Sequence, residues 1–305
     1  MDKRRVIVYG LGRLWKNNRE TIESQYEVCG VCDSNEKYRY EYNNFISKND
    51  IKEAKLYVLI CVAWPNLAEV INELIETHKV SEEKIMVWKA ENDLILYSKE
   101  TKPDFYVYSQ FGEDYVIHKL LEEKGIREKN ASYIELGVFD PIRVNNTYFL
   151  HLSGAKGLLV DANKEYISTI RILRKGSIVL NRAVVEDSNK QPIVDFYVTE
   201  DGGTSSVDTS SIEDHKTIIR EKVEVKTITI NECLDMLGKQ CDVLSVDLEG
   251  LDEAVLYSID FEKYKPRIIC AETRNQCDEL VKYICDKGYK YVFSNGVNDI
   301  WSRID

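Results

Sequence analysis

Short apolar strands alternating with helical repeats predict an α/β chain built on parallel, Rossmann-like sheets. Three observations lead there. Apolar runs of strand length recur, and those at 28–33, 157–161 and 242–247 each end in an acid: Asp33, Asp161 and Asp247. A glycine turn follows an early strand in each half of the chain, Gly10-Leu11-Gly12 and Glu135-Leu136-Gly137. Between strands, apolar residues return at helical spacing, as at Leu67, Val70, Ile71, Leu74 and Ile75. Strands that deliver carboxylates to the carboxyl end of a parallel sheet describe a ligand crevice.

A length of 305 residues fits about two domains. The expected division is a smaller Rossmann-like domain at 1–100 and a larger one at 101–305. The join falls at 99–104, where charge and Pro103 follow an apolar run. The net charge of -11 gives no basic field for nucleic acid, so a nucleic-acid partner is not expected. The start, Met1-Asp2-Lys3-Arg4-Arg5, leads only into a short apolar run, and no stretch approaches a membrane span. A cytoplasmic protein with no membrane insertion is the expectation. Of the eight cysteines, Cys61, Cys270 and Cys285 sit inside apolar runs and read as buried thiols. Cys29 and Cys32 have CxxC spacing, but without a second pair or clustered histidines they read as a strand end rather than a zinc site.

In the first hundred residues, strands are expected at 6–9, 28–33, 56–62 and 84–88, with a helix over 67–77. Gly10 and Gly12 would let the backbone approach a phosphate at a helix N-terminus, and Asp33 would accept from ribose hydroxyls. Trp15 stands where a dinucleotide fingerprint places its third glycine, so the turn is either a nucleotide or nucleotide-sugar site or a structural remnant. The segment resembles the small N-terminal Rossmann-like domains of proteins that modify bacterial surface glycans.

In the larger domain, residues 109–114 open a helix whose apolar side holds Tyr115, Ile117, His118, Leu120 and Leu121. Strands follow at 132–138, 157–161, 177–181, 192–198, 223–230, 242–247 and 267–272, and a hairpin at 289–293 and 299–303 closes the chain. Helices are expected at 145–152, 165–173, 252–257 and 280–285. A polar loop with Gly203, Thr204 and Ser205 joins two of the strands, and its small residues suit a mobile cover.

Five segments in this order resemble the FkbM-type methyltransferases: 109–114, Glu135-Leu136-Gly137, Asn145-Asn146-Thr147-Tyr148, 157–161 and Ser245-Val246-Asp247-Leu248-Glu249-Gly250. The resemblance runs from about 105 to 293. It implies a class I, seven-stranded Rossmann-like methyltransferase domain, S-adenosyl-L-methionine as the methyl donor, and methylation of a hydroxyl. The acceptor it points to is a small molecule: a sugar, nucleotide-sugar or other precursor of a surface polysaccharide or natural product. Gln110 and Asp114 match the first motif and are expected in the donor pocket, as are Asn146 and Thr147. The family often has Asp where this chain has Glu135.

The donor carries a sulfonium, an amino acid end, a ribose diol and an adenine. Gly137 gives backbone access for the amino acid end, and Glu135 is placed to hold its amino group. Asp161 suits the ribose diol, because a carboxylate accepts both hydroxyl protons. Asn181 and Ala183 lie where such folds receive adenine. Methyl transfer needs an aligned nucleophile and a base within reach. Asp247 leads the candidates, then Glu249, then Glu272, with Asp247 and Glu249 on one face if the strand continues that far. The same three carboxylates are the candidate ligands should a magnesium ion be used. His215 reads as a loop histidine that is also a candidate base. Two other functions stay open: a methyltransferase fold without turnover that reads a nucleotide-sugar through the first domain, and a nicotinamide oxidoreductase using Gly10, Gly12 and Asp33. The acceptor's identity and the oligomeric state, including a homo-oligomer, stay open as well.

Overall fold

The computed structural model describes residues 3–52, 54–62, 66–88, 107–273 and 278–304. The expected join at 99–104 lies outside the described residues. By contacts the chain divides into two compact units, Met1–Leu94 with Ser168–Lys175, and Ile95–Ile167 with Gly176–Asp305.

The first unit starts with β1 (Arg4–Tyr9), α1 (Arg13–Gln25) and β2 (Tyr26–Cys32). It continues with β3 (Tyr57–Ile60), α2 (Asn66–Asn72) and β4 (Ile85–Val87). The strands form one sheet in the order β2-β1-β3-β4, all parallel. The helix expected over 67–77 is divided: α2 passes into a π-helical turn at Glu73–Thr77. Val6, Val8, Leu11, Trp15, Ile22 and Leu59 form its core. Trp15 is buried, and its indole N–H donates to the Tyr42 hydroxyl at 3.2 Å. Its ring fills the space between helix and sheet that a third glycine would leave open.

The larger part begins with α3 (Glu113–Glu123), β5 (Ser132–Leu136) and α4 (Tyr148–Leu152). Then come β6 (Lys156–Asp161), α5 (Lys164–Leu173), β7 (Ile178–Asn181) and β8 (Ala183–Val185). β9 (Ile193–Thr199), α6 (Thr209–His215), β10 (Ile219–Thr229) and α7 (Ile230–Leu237) follow. β11 (Val243–Val246), α8 (Asp252–Tyr257), β12 (Ile268–Glu272), α9 (Asp278–Asp286), β13 (Tyr289–Ser294) and β14 (Asn298–Arg303) complete it. Seven strands make one sheet in the order β13-β14-β12-β11-β5-β6-β7. Its five central and right-hand strands are parallel, and β14 and β13 close the other edge antiparallel. β5 and β11 are buried along their whole length and β12 at every residue but Glu272, as expected of central strands of a parallel sheet. The order reverses between β5 and β11, which puts the topological switch point, and hence the crevice, at their carboxyl ends.

A three-stranded sheet, β8-β10-β9, stands beside it. The segment between β9 and β10 carries the glycine loop and α6.

Three local expectations change. The helix expected from Asn145 begins at Tyr148, because the Asn145 side chain accepts from the Thr147 N–H at 3.1 Å and holds a turn. His215 is not in a loop but ends α6, whose start is capped by Asp208 accepting from the Ser210 N–H. The strand expected to run through Ile230 stops at Thr229, where Thr229 and Glu232 form a reciprocal capping box and start α7. The Thr-x-x-Glu spacing carries that signal in the sequence.

Candidate active site

β5 ends at Leu136, and Gly137 then turns with φ +78°. A side chain here would place its Cβ 1.7 Å from the backbone oxygen of Asp247, so only glycine lets the ends of β5 and β11 come this close. The next two amides point back to the neighbouring strand. Val138 and Phe139 donate to one oxygen of Asp161 at 3.1 and 2.8 Å, and Asn163 donates to the other at 2.7 Å. The Asp161 carboxylate therefore clasps two loops together, with three of about four lone-pair positions taken. Burial raises its pKa, while the three amide bonds work in the other direction.

β11 also stops early, at Val246. Asp247 and Glu249 are thus not brought together by strand alternation. The chain turns instead, with Glu249 in the left-handed region at φ +52° and Gly250 at φ +115°. Asp252, the first residue of α8, holds this turn: its carboxylate accepts from the Leu248 N–H at 2.8 Å and the Gly250 N–H at 3.2 Å. Asp252 is pushed up to about 6 by burial and then by the nearby Glu272. Ser206 donates to the Glu249 carbonyl at 2.8 Å, tying the same turn to the glycine loop. Glu272 arrives from the end of β12. The carboxylate oxygens of Asp247, Glu249 and Glu272 come within 4.8 Å of one another, and the His215 Nε2 lies 3.4 Å from Glu249 Oε2.

These groups line one crevice of about 700 Å³, a size suited to a drug-sized or larger ligand. Gln110, Gly137, Asp161, Ala183, Asp247, Glu249 and Glu272 all face it, as do Gly203, Thr204, Ser205 and His215. The other residues expected around the donor stand behind its wall. Asp114 is buried and accepts from Ser109 and from the Tyr108 and Tyr115 amides, and burial pushes it up to about 6. Glu135 is buried and accepts from the Thr147 hydroxyl at 2.7 Å, so the longer acid reaches α4's entry turn instead of the crevice. Asn146 donates to Ser245 Oγ at 3.2 Å, bracing β11. Asn181 donates to the backbone oxygens of Asp161 and Ala162. Each of these side chains is bonded within the protein and none of them lines the crevice.

Several residues of the site escape sequence reading. Tyr166, Arg182, Asp214 and Asn298 line the crevice from separate elements. Glu113 is fully buried and accepts from Asn295 and Asn298, fixing the hairpin turn that forms one wall. Glu113 and Asp252 left a local trace, each as an acid at the start of a helix that follows a glycine.

In the first unit, Gly10 turns at φ +96°, and an added Cβ would meet Val62 at 2.6 Å and the Cys61 oxygen at 2.9 Å. Asp33 accepts from the Leu11 N–H at 2.6 Å and the Asn35 N–H at 2.8 Å. Gly12 precedes α1 with open space at its Cα. Asp33 thus holds the glycine turn.

The methyltransferase FkbM domain family matches residues 135–291, just over half of the chain. No curated protein matches the chain. Two solved structures are similar in part. A TehB-like SAM-dependent methyltransferase from Corynebacterium glutamicum aligns at 10% identity over 63% of this chain and 88% of its own, with a TM-score of 0.33. A precorrin-6y C5,15-methyltransferase from Geobacter metallireducens aligns at 10% identity over 62% and 89%, with a TM-score of 0.34. Among the described residues no helix is long and apolar enough to cross a membrane.

Proposed function

The chain belongs to the FkbM methyltransferase family, and we propose that it methylates a hydroxyl oxygen of a sugar, nucleotide-sugar or related precursor of a surface glycan or natural product. The observation that carries this reading is the meeting of Gly137, Asp161 and the Asp247–Glu249–Glu272 cluster in one crevice at the switch point of the sheet. S-adenosylmethionine, when bound, supplies a methyl group on a positively charged sulfur.

The residues present fit that donor. The 700 Å³ crevice accommodates it, and a wall rich in carboxylates suits a cationic centre. Gly137 leaves the sheet end open, Asp161 keeps one acceptor position for a ribose hydroxyl, and Ala183 leaves a flat wall for the base. On the other side, Asp247, Glu249 and Glu272 accept hydrogen bonds from the acceptor's hydroxyls, and Asp247 stands next to Gly137, where the reacting oxygen belongs. Holding that oxygen in line is the larger part of the catalytic work. Accepting its proton as the new bond forms adds typically 10²–10⁴-fold. Three carboxylate oxygens so close together also resemble a magnesium ligand set. We assign them to the acceptor, so transfer should persist in EDTA.

The test is calorimetry with S-adenosylmethionine and S-adenosylhomocysteine, coupled to methyl-transfer assays over sugars and nucleotide-sugars. Wild type should bind both ligands. Asp247→Asn should keep donor binding within about threefold while losing roughly 100-fold or more in turnover. Absence of donor binding in folded wild type would sink the proposal. Donor binding with no transfer to any hydroxyl would favour a binding module without turnover.

A further inference from the structure

We infer that the acceptor enters this crevice as an uncharged, hydroxyl-rich carbohydrate, and that a phosphate or diphosphate group is not seated there. The inference rests on the methyltransferase reading of the crevice and narrows its substrate class.

Charge gives the first reason. Beside the donor-side Asp161, the lining carries Asp214, Asp247, Glu249 and Glu272. Among the described lining residues, the basic side chains are Arg182 and His215. Arg182 belongs to the donor side: it precedes Ala183, and its guanidinium donates to the Asn181 carbonyl at 2.8 Å. His215 lies 3.4 Å from Glu249, so any positive charge it carries is already faced by a carboxylate. A diphosphate placed here would meet four carboxylates. Like charges set against each other disfavour a contact of this kind.

The second reason is independent of net charge. Proteins also seat phosphates on free backbone N–H groups at glycine turns. The acceptor side has such turns, but five of their amides are bonded internally. Leu248 and Gly250 donate to Asp252, Thr204 to Asp201, Gly202 to the Thr199 carbonyl and Asp247 to the Leu136 carbonyl. The chain uses its own aspartates where a phosphate-binding turn would leave donors open. Around Asp247 the wall offers carboxylate oxygens, with the Thr204 and Ser205 hydroxyls beside them. Acceptors of this kind recognise hydroxyl protons. A sugar ring supplies them in number, and a phosphate at neutral pH does not.

The experiment uses the full chain loaded with S-adenosylhomocysteine. The His215 ring resonance serves as a reporter inside the crevice, assigned as the one of four histidine signals lost in His215→Gln. Inorganic pyrophosphate is titrated, with EDTA and separately with magnesium. We expect no saturable shift of that signal up to about 10 mM, a dissociation constant weaker than millimolar. A saturable shift in either condition overturns the inference. In the transfer assay, a sugar supplied as a neutral glycoside should exceed its nucleoside-diphosphate conjugate by tenfold or more in kcat/KM. A conjugate preferred over its parent glycoside overturns it as well. Because S-adenosylhomocysteine binding is measured separately, failure of this inference leaves the methyltransferase reading standing and distinguishable.

Discussion

The four-stranded and the seven-stranded sheet solve the same local problem with the same parts. In each, a strand ends in a glycine at positive φ, Gly10 after β1 and Gly137 after β5. In each, the adjacent loop's backbone occupies the space a Cβ would need. In each, the acid ending the next strand, Asp33 or Asp161, accepts the amide that follows the glycine. The acid is therefore first a clasp, whatever ligand it also touches. The difference lies in the neighbouring strand. β3 leads into apolar Cys61 and Val62, which pack against Gly10. β11 leads into Asp247 and Glu249, and β12 brings Glu272 beside them. Chemistry is legible not in the glycine and its acid, which both units share, but in what the next strand delivers to the same edge.

Substituting the two glycines is the strongest way to break this comparison. Gly137→Ala drives a methyl group into a backbone oxygen at 1.7 Å, with no side chain able to yield. It should destabilise the larger unit by about 3 kcal/mol or more and abolish donor binding. Gly10→Ala meets a movable valine methyl and a more distant oxygen, so a cost of about 1–3 kcal/mol is expected. Denaturant unfolding of both variants gives the ranking, and the reverse order would refute the comparison.

Removing the clasps comes next. Asp161→Ala strands three amides, against two for Asp33→Ala. With hydrogen bonds to a charged group at roughly 1.5–3 kcal/mol each and partial rescue by water, losses of about 3 and 2 kcal/mol are expected. S-adenosylhomocysteine binding separates them more sharply: lost in Asp161→Ala, within about threefold of wild type in Asp33→Ala.

The two units should also respond to acid in opposite senses at the buried Asp114 and Asp252 and at the half-buried Glu73. Asp114 and Asp252 are pushed up to about 6 when folded, against about 3.9 in an unfolded chain. The folded form binds their protons more tightly. Stability from these groups is thus full below about pH 4 and lost as pH rises through about 6. Glu73, in the first unit, behaves the other way: burial pushes its pKa up, but Lys48 and His78 outweigh burial and leave it lowered. Its contribution is present at neutral pH and lost as pH falls through its lowered folded pKa. Hydrogen-exchange free energies of β11 amides should rise between pH 7 and 5 and flatten in Asp252→Asn. Those of β1 should show no such rise.

The smallest expected effect marks where the site ends. Thr229→Ala breaks the capping box of α7, outside the crevice, and should cost about 1 kcal/mol without changing turnover. A change in kcat would extend the site to the start of α7.

What the sequence determined by itself was the alternation of strands and helices, the glycine that each sheet edge requires and the family motifs in their order. Those features are local: apolar period, turn residues and the acid that ends a strand all lie within a few positions of one another. Gln110, Gly137, Asp161, Ala183 and the three acidic residues were legible because each sits at a strand end or in a turn, where such folds expose side chains. The tertiary structure decided which motif residues face the crevice and which stand behind it. Glu135 reads as a donor contact in the sequence, and the fold buries it with one carboxylate oxygen accepting from Thr147, brought beside it by the turn before α4. Asn181 reads as an adenine neighbour in the sequence, and the fold has its amide nitrogen donate to the carbonyls of Asp161 and Ala162. Asp247 and Glu249 share an edge through a turn that Asp252 and Ser206 hold, not through strand alternation. Partners that fix a buried polar group come from distant parts of the chain, and no spacing in the sequence encodes where that group must point.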